Sequence, residues 1–138
     1  MAEVELVVIG EPAPQGSKTR WGTEDNPRTA PWRATISAAA HHAMNGQPPY
    51  MGPCALEIEF YFPRPKAHFG SGRNAETLKP AAPTFVTRAP DVDKLVRAVG
   101  DALKGYVVRD DAQFAIVRAE KVYGTPRARI LVRELDEV

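Results

Sequence analysis

A single cysteine, Cys54, stands among 138 residues, so no disulfide can form within the chain. The same scarcity removes any cysteine-based zinc set and suits a reducing compartment. Long apolar runs are missing as well: nothing approaches the roughly 20 residues that cross a bilayer, so no membrane partner is expected. The opening residues, Met1-Ala2-Glu3-Val4-Glu5, have neither the basic region nor the apolar core of a secretory leader. A cytoplasmic protein is the expectation. Net charge is also nearly absent, at +1.

That small total conceals an asymmetry. Between Arg64 and Arg129 there are thirteen Lys and Arg against seven Asp and Glu, while the remainder holds five against ten. A basic central half points to a polyanionic ligand. A solvated surface of mixed charge accounts for the same counts. The length accommodates one core, so residues 1–138 are read as one domain.

Glu3 to Gly10 is β-branched and apolar and reads as a strand. A Pro- and Gly-rich loop over about 11–31 follows, carrying Lys18 and Arg20. Trp32 to Asn45 is Ala-rich and lacks Gly and Pro, which predicts a helix ended by Gly46-Gln47-Pro48-Pro49. In Cys54 to Phe62 the residues Leu56, Ile58 and Phe60 alternate with Glu57 and Glu59, the pattern of a strand. The stretch 64–90 is rich in proline and basic residues and shows no periodicity; it is expected to be a mobile loop.

From Asp91 to Gly105 the spacing of Val92, Leu95, Val96, Val99, Ala102 and Leu103 predicts a helix with one buried stripe. Asp91 suits its N-cap and Gly105 its C-terminal stop. Gln113–Tyr123 and Arg127–Leu135 read as strands joined in a hairpin through Gly124-Thr125-Pro126. The order β-α-β-α-β-β predicts an α+β fold with two main helices on a small mixed sheet.

The second helix concentrates the chemistry. Asp93, Arg97, Asp101 and Lys104 share its polar face. Asp91 and Lys94 lie at its first turn, and Asp110-Asp111 follow a short connector. Carboxylates clustered without His or Cys are hard oxygen ligands of the kind Mg²⁺ or Mn²⁺ selects. Such a cation polarises a phosphodiester, activates water and stabilises the departing oxyanion. Arg97, and Lys94 beside it, would hold the phosphate. Each acid also has a plainer role. Asp91 suits a cap, Asp93 and Asp101 suit ion pairs with Arg97, and Asp110-Asp111 suit a polar turn. His41-His42 form no metal pair, because adjacent helical residues point about 100° apart.

Three blocks occur in order: Pro90-Asp91-Val92-Asp93-Lys94-Leu95-Val96-Arg97, Asp101-Ala102-Leu103-Lys104-Gly105 and Asp110-Asp111-Ala112-Gln113. Together they resemble the signature P-D-x-D-N-L-x-K, D-x-L-x-G, D-D-x-Q of the RusA family of Holliday-junction resolvases. Gly10-Glu11-Pro12-Ala13-Pro14-Gln15-Gly16, Phe62-Pro63-Arg64-Pro65-Lys66-Ala67-His68 and Leu78-Lys79-Pro80 resemble flanking segments of its phage-type members. The resemblance implies a RusA-like fold and a homodimer in the cytosol of a bacterium or of a phage-infected host. It also implies Mg²⁺-dependent symmetric cleavage of four-way DNA junctions.

By motif position Asp91, Asp93 and Asp111 match the catalytic, metal-binding carboxylates, and Arg97 stands where the family has a catalytic lysine. Lys94 replaces the usual Asn. Arginine does not give up a proton near neutral pH, so Arg97 can stabilise charge but is a poor proton donor. Asp101, Asp110 and Lys94 are expected to support the ligands, with Asp101 also placed to orient Arg97. Lys18, Arg20, Lys66, Arg73, Lys79 and Lys121 are expected to touch DNA, and His68 and Phe69 to stack or wedge at a junction. Cleavage of flaps or other branched DNA by the same chemistry, or junction binding without cleavage, are the alternatives.

Overall fold

The computed structural model describes residues 2–16 and 26–136. Its regular elements are β1 (Glu3–Ile9), α1 (Thr29–Met44), β2 (Cys54–Phe62), α2 (Val92–Leu103), β3 (Phe114–Tyr123) and β4 (Arg127–Glu134). The predicted α+β order with two helices on a mixed sheet is what forms.

The sheet order is β1-β4-β2-β3, with β2 and β3 parallel and the other neighbours antiparallel. Leu56, Ile58, Phe60 and Phe62 of β2 are all buried on the inner face. There they meet α1 through Trp32, Ile36, Ala40 and Met44, and α2 through Leu95, Ala98, Val99, Ala102 and Leu103. Both stripes follow the period of 3.6, so helical geometry alone aligns them for burial. The outer face carries Glu5, Glu57, Glu59, Arg118 and Arg129 over an open polar concavity. Arg129 pairs with Glu5 and Glu59 at 2.6 and 3.4 Å there.

The hairpin expected from Gln113 to Leu135 does not form. β2 lies between β3 and β4, parallel to the first and antiparallel to the second, so both of its edges are paired. The chain must therefore step across β2, about 10 Å for two strand spacings. Four virtual bonds from Tyr123 to Arg127 cover that distance. Gly124 passes over the end of β2: a Cβ there would come 2.9 Å from the Tyr61 ring, and its amide donates to the Phe62 carbonyl at 2.9 Å.

Two boundaries differ from expectation. α1 begins at Thr29, three residues before Trp32, because Pro31 falls within its first turn, where a missing amide proton costs nothing. The stretch 64–90 contains two short 3₁₀ turns, Lys66–His68 and Gly72–Asn74, and an antiparallel bridge between Phe69 and Leu78. None of these has a period, so periodicity could not find them. No helix among the described residues is long and apolar enough to cross a membrane.

Candidate active site

Asp91 occupies the N-cap position of α2 with extended dihedrals, yet its side chain makes no capping hydrogen bond. Its carboxylate instead faces the Lys94 ammonium at 3.9 Å. Both residues line a concavity of about 370 Å³ that also includes Pro12, Pro14 and Arg28. A capping Asp that does not cap leaves its oxygens available to something else.

Asp93 and Arg97 are exposed one turn apart on α2. Gly100, a further turn along, shares their face within about 60° of rotation. Asp111 is seated on that glycine: a Cβ at Gly100 would lie 3.7 Å from Asp111 Cβ and 3.9 Å from its Oδ2. Asp93, Arg97 and Asp111 thus share one helical face, while Asp91 stands at the helix end. The rise from Asp93 to Gly100 is about 10 Å, so the carboxylates are strung along α2. Among the described residues no three His, Cys, Asp or Glu side chains are grouped closely enough to hold a metal ion.

Asp111 owes its position to two neighbours. Asp110 accepts from the Ala112 amide at 3.0 Å and caps the 3₁₀ turn Asp111–Gln113. That amide, the Asp111 carboxyl and the Lys104 charge hold the Asp110 carboxyl below its ordinary pKa. Gln113 accepts from the amides of Arg109 and Asp110, both at 2.9 Å. It donates to the carbonyls of Tyr50 and Gly52 at 2.8 and 2.9 Å. All four hydrogen-bonding sites of this amide are filled. The block Asp-Asp-Ala-Gln is therefore a small device: Asp110 caps, Gln113 pins, and Asp111 is presented. The Asp110-x-x-Gln113 spacing is that of a capping box, the sequence signal that reveals this role.

Asp101 reaches Arg33 of α1 at 3.4 Å and accepts from Gln15 Nε2 at 3.4 Å. Arg33 also donates to Gln15 Oε1, and the Gln15 backbone N–H donates to the Lys94 carbonyl at 3.0 Å. Asp101 therefore ties α1 and the Pro14-Gln15-Gly16 segment to α2; Arg97 makes no ion pair among the described residues. Gly16 runs close against α2: a Cβ there would come 3.0 Å from the Lys94 side chain. No spacing rule links Gln15, Arg33 and Asp101, which lie in a loop and in two different helices.

Lys66, Arg73 and Lys79 are exposed on the 64–90 stretch, while Lys18 and Arg20 lie outside the described residues. His68 packs edge-on against Tyr123 with centroids 4.8 Å apart, and Arg64 covers the same ring at 5.1 Å. That ring packing, rather than a wedge, is its place in this structure; Phe69 pairs with Leu78. Lys121 is turned inward, donating to the carbonyls of Arg88 and Pro90 at 2.7 and 2.8 Å.

The family model "Endodeoxyribonuclease RusA" matches residues 7–133, nearly the whole chain. The chain belongs to the RusA family. The match covers both acidic blocks of α2, the Asp110-Asp111 turn and every strand at least in part. A relative from Bacillus subtilis (strain 168), "Uncharacterized protein YqaN", is 32% identical over 85 residues. That alignment spans 61% of this RusA-family chain and 59% of the relative.

Proposed function

We propose that this protein is a Mg²⁺-dependent endonuclease that resolves four-way DNA junctions by paired, symmetric cleavage in the cytoplasm. The observation that carries the reading is the Asp111 carboxylate seated on Gly100, along the helical face that bears Asp93 and Arg97. The donor set fits a hard divalent cation. Asp91, Asp93 and Asp111 offer carboxylate oxygens only, Asp91 is unspent as a cap, and Gly100 leaves room for Asp111.

Mg²⁺, or Mn²⁺ in its place, would supply polarisation of the scissile phosphate and stabilisation of charge on the leaving oxygen. Asp91, Asp93 and Asp111 would hold it. Arg97, permanently charged, binds the phosphate and offsets charge in the transition state but does not deliver a proton. Lys94 tempers Asp91, and Asp110 and Asp101 keep Asp111 and α2 in place. Lys18, Arg20, Lys66, Arg73 and Lys79 contact the DNA backbone.

A four-way junction has two-fold symmetry and needs two nicks, so the working form is a homodimer. Among the described residues the first half of β3 offers an unpaired edge on which Ile116 and Val117 are about half exposed, and a second copy would cover it. A synthetic junction incubated with the protein and Mg²⁺ tests the reading. Paired symmetric nicks that vanish in Asp93→Asn are expected. Preferential cutting of flaps, or tight junction binding with no cleavage in Mg²⁺ or Mn²⁺, would overturn it.

A further inference from the structure

Lys121 lies on β3, and its backbone and side chain grip one segment at several points. Its carbonyl accepts from the Val86 amide at 3.0 Å, and the next pairing along the edge runs from the Tyr123 amide to the Thr84 carbonyl at 3.1 Å. Phe85 and Val122 form an antiparallel bridge between them, and Val86 is buried. Residues 84–86 are thus a short strap on the outer edge of β3. The Lys121 ammonium then takes two further carbonyls of the same segment, those of Arg88 and Pro90. The residue that follows Pro90 is Asp91, whose own carbonyl accepts the first helical bond of α2, from Leu95 at 3.1 Å.

A cation at this place does nothing for the helix. The N-terminal end of α2 carries the positive pole of its dipole and favours anions. No carboxylate lies within 4 Å of Lys121 among the described residues, so the ammonium is held by neutral carbonyls. Two charge-assisted hydrogen bonds of good length, to carbonyls on either side of Ala89, fix the path of the chain into Asp91. They do so without occupying the oxygens of Asp91 itself. The strand that starts just after Asp111 therefore also holds the entrance to Asp91, from its far end.

We infer that Lys121 is a positioning residue for Asp91: it sets where that carboxylate stands for the cation, and it is not a phosphate contact. This role rests on the reading of Asp91 as a metal ligand. Mn²⁺ binding, followed by electron paramagnetic resonance of the free ion, tests it alongside binding of a four-way junction in Ca²⁺. In Lys121→Met, Mn²⁺ affinity should fall at least fivefold. Cleavage should slow at low Mn²⁺ and recover at high Mn²⁺, while junction affinity stays within about twofold. Lys121→Arg, which retains charge and paired donors, should restore most of the Mn²⁺ affinity. Weaker junction binding with a salt slope reduced by about one would instead make Lys121 a phosphate contact and overturn the inference. So would unchanged Mn²⁺ affinity with only a lower melting temperature. If Lys121→Met does not fold, Lys121→Gln, which is polar but uncharged and too short to reach both carbonyls, is read by the same criteria. Unchanged Mn²⁺ binding in Asp91→Asn would fell the ligand assignment, and the positioning role with it.

Discussion

Replacing Gln113 by glutamate keeps the shape of the side chain, changes its donor group into an acceptor and adds a negative charge near Asp110 and Asp111. The amides of Arg109 and Asp110 keep an oxygen to donate to. The carbonyls of Tyr50 and Gly52, now 2.8 and 2.9 Å from the amide nitrogen, would face a carboxylate oxygen. Two hydrogen bonds at about 1 kcal/mol each are lost, and leaving half-buried acceptors opposed adds about 1–2 kcal/mol. A destabilisation of about 3 kcal/mol at neutral pH follows, on the order of 10 °C in melting temperature for a domain of this size.

The pH dependence carries a sign that simple loss of packing does not. A protonated glutamic acid in place of Gln113 can donate to a carbonyl, so folding favours the neutral form of the new side chain and raises its pKa above the unfolded value of about 4.3. The stability gained is present below that unfolded value and disappears as pH rises through the raised folded one. Urea unfolding at pH 4 and pH 7 measures this, and the gap between variant and parent should be smaller at pH 4. Cleavage should fall with it, because Gln113 holds the turn that presents Asp111. A variant as stable as the parent at pH 7, or a gap that does not change with pH, would refute the pinning role.

Asp91→Asn should leave the melting temperature within about 2 °C, since the side chain makes no capping bond whose loss would cost the usual ~1 kcal/mol; thermal unfolding checks this while cleavage is abolished. Gly100→Ala should be neutral or stabilising by up to about 1 kcal/mol, because the added Cβ meets Asp111 at an ordinary contact distance. Gly100→Val should displace Asp111 and cut cleavage at least tenfold, with circular dichroism reporting an intact fold. The lowered pKa of Asp110 means that its contribution to stability is present above the ordinary carboxylate range and is lost as pH falls through its lowered value. In Asp110→Asn that part of the acid sensitivity, read by unfolding between pH 2 and 5, should diminish. Val117→Lys places a charge on the open edge of β3 and should shift sedimentation toward the monomer.

Periodicity was enough to locate most elements. Cys54–Phe62 matches β2 residue for residue; of the expected α2 stripe Leu95, Val99, Ala102 and Leu103 are buried, whereas Val96 is half-buried and Val92, in the first turn, is exposed. The ordered blocks around Asp91, Asp93 and Asp111 identified the family, because residues a few positions apart carry their spacing in the sequence itself. The cap position of Asp91 was legible too, although not that its side chain leaves the cap bond unmade.

Contacts between distant segments were not legible. That β2 separates β3 from β4 is a pairing of segments more than fifty residues apart, which no local pattern contains. Lys121 and Pro90 are 31 residues apart, and Gln15 and Asp101 are 86 apart. A lysine in a basic half of a DNA-acting family reads as a phosphate contact until the fold places carbonyls against it. The sequence by itself determined the helical face, the acidic blocks and the residue types that suit a hard cation, since these follow from spacing and side-chain chemistry. Only the tertiary structure decided which polar groups meet, seating Asp111 on Gly100 and turning Lys121 toward the carbonyls that lead into Asp91, because those meetings arise from packing helices and strands on a shared core.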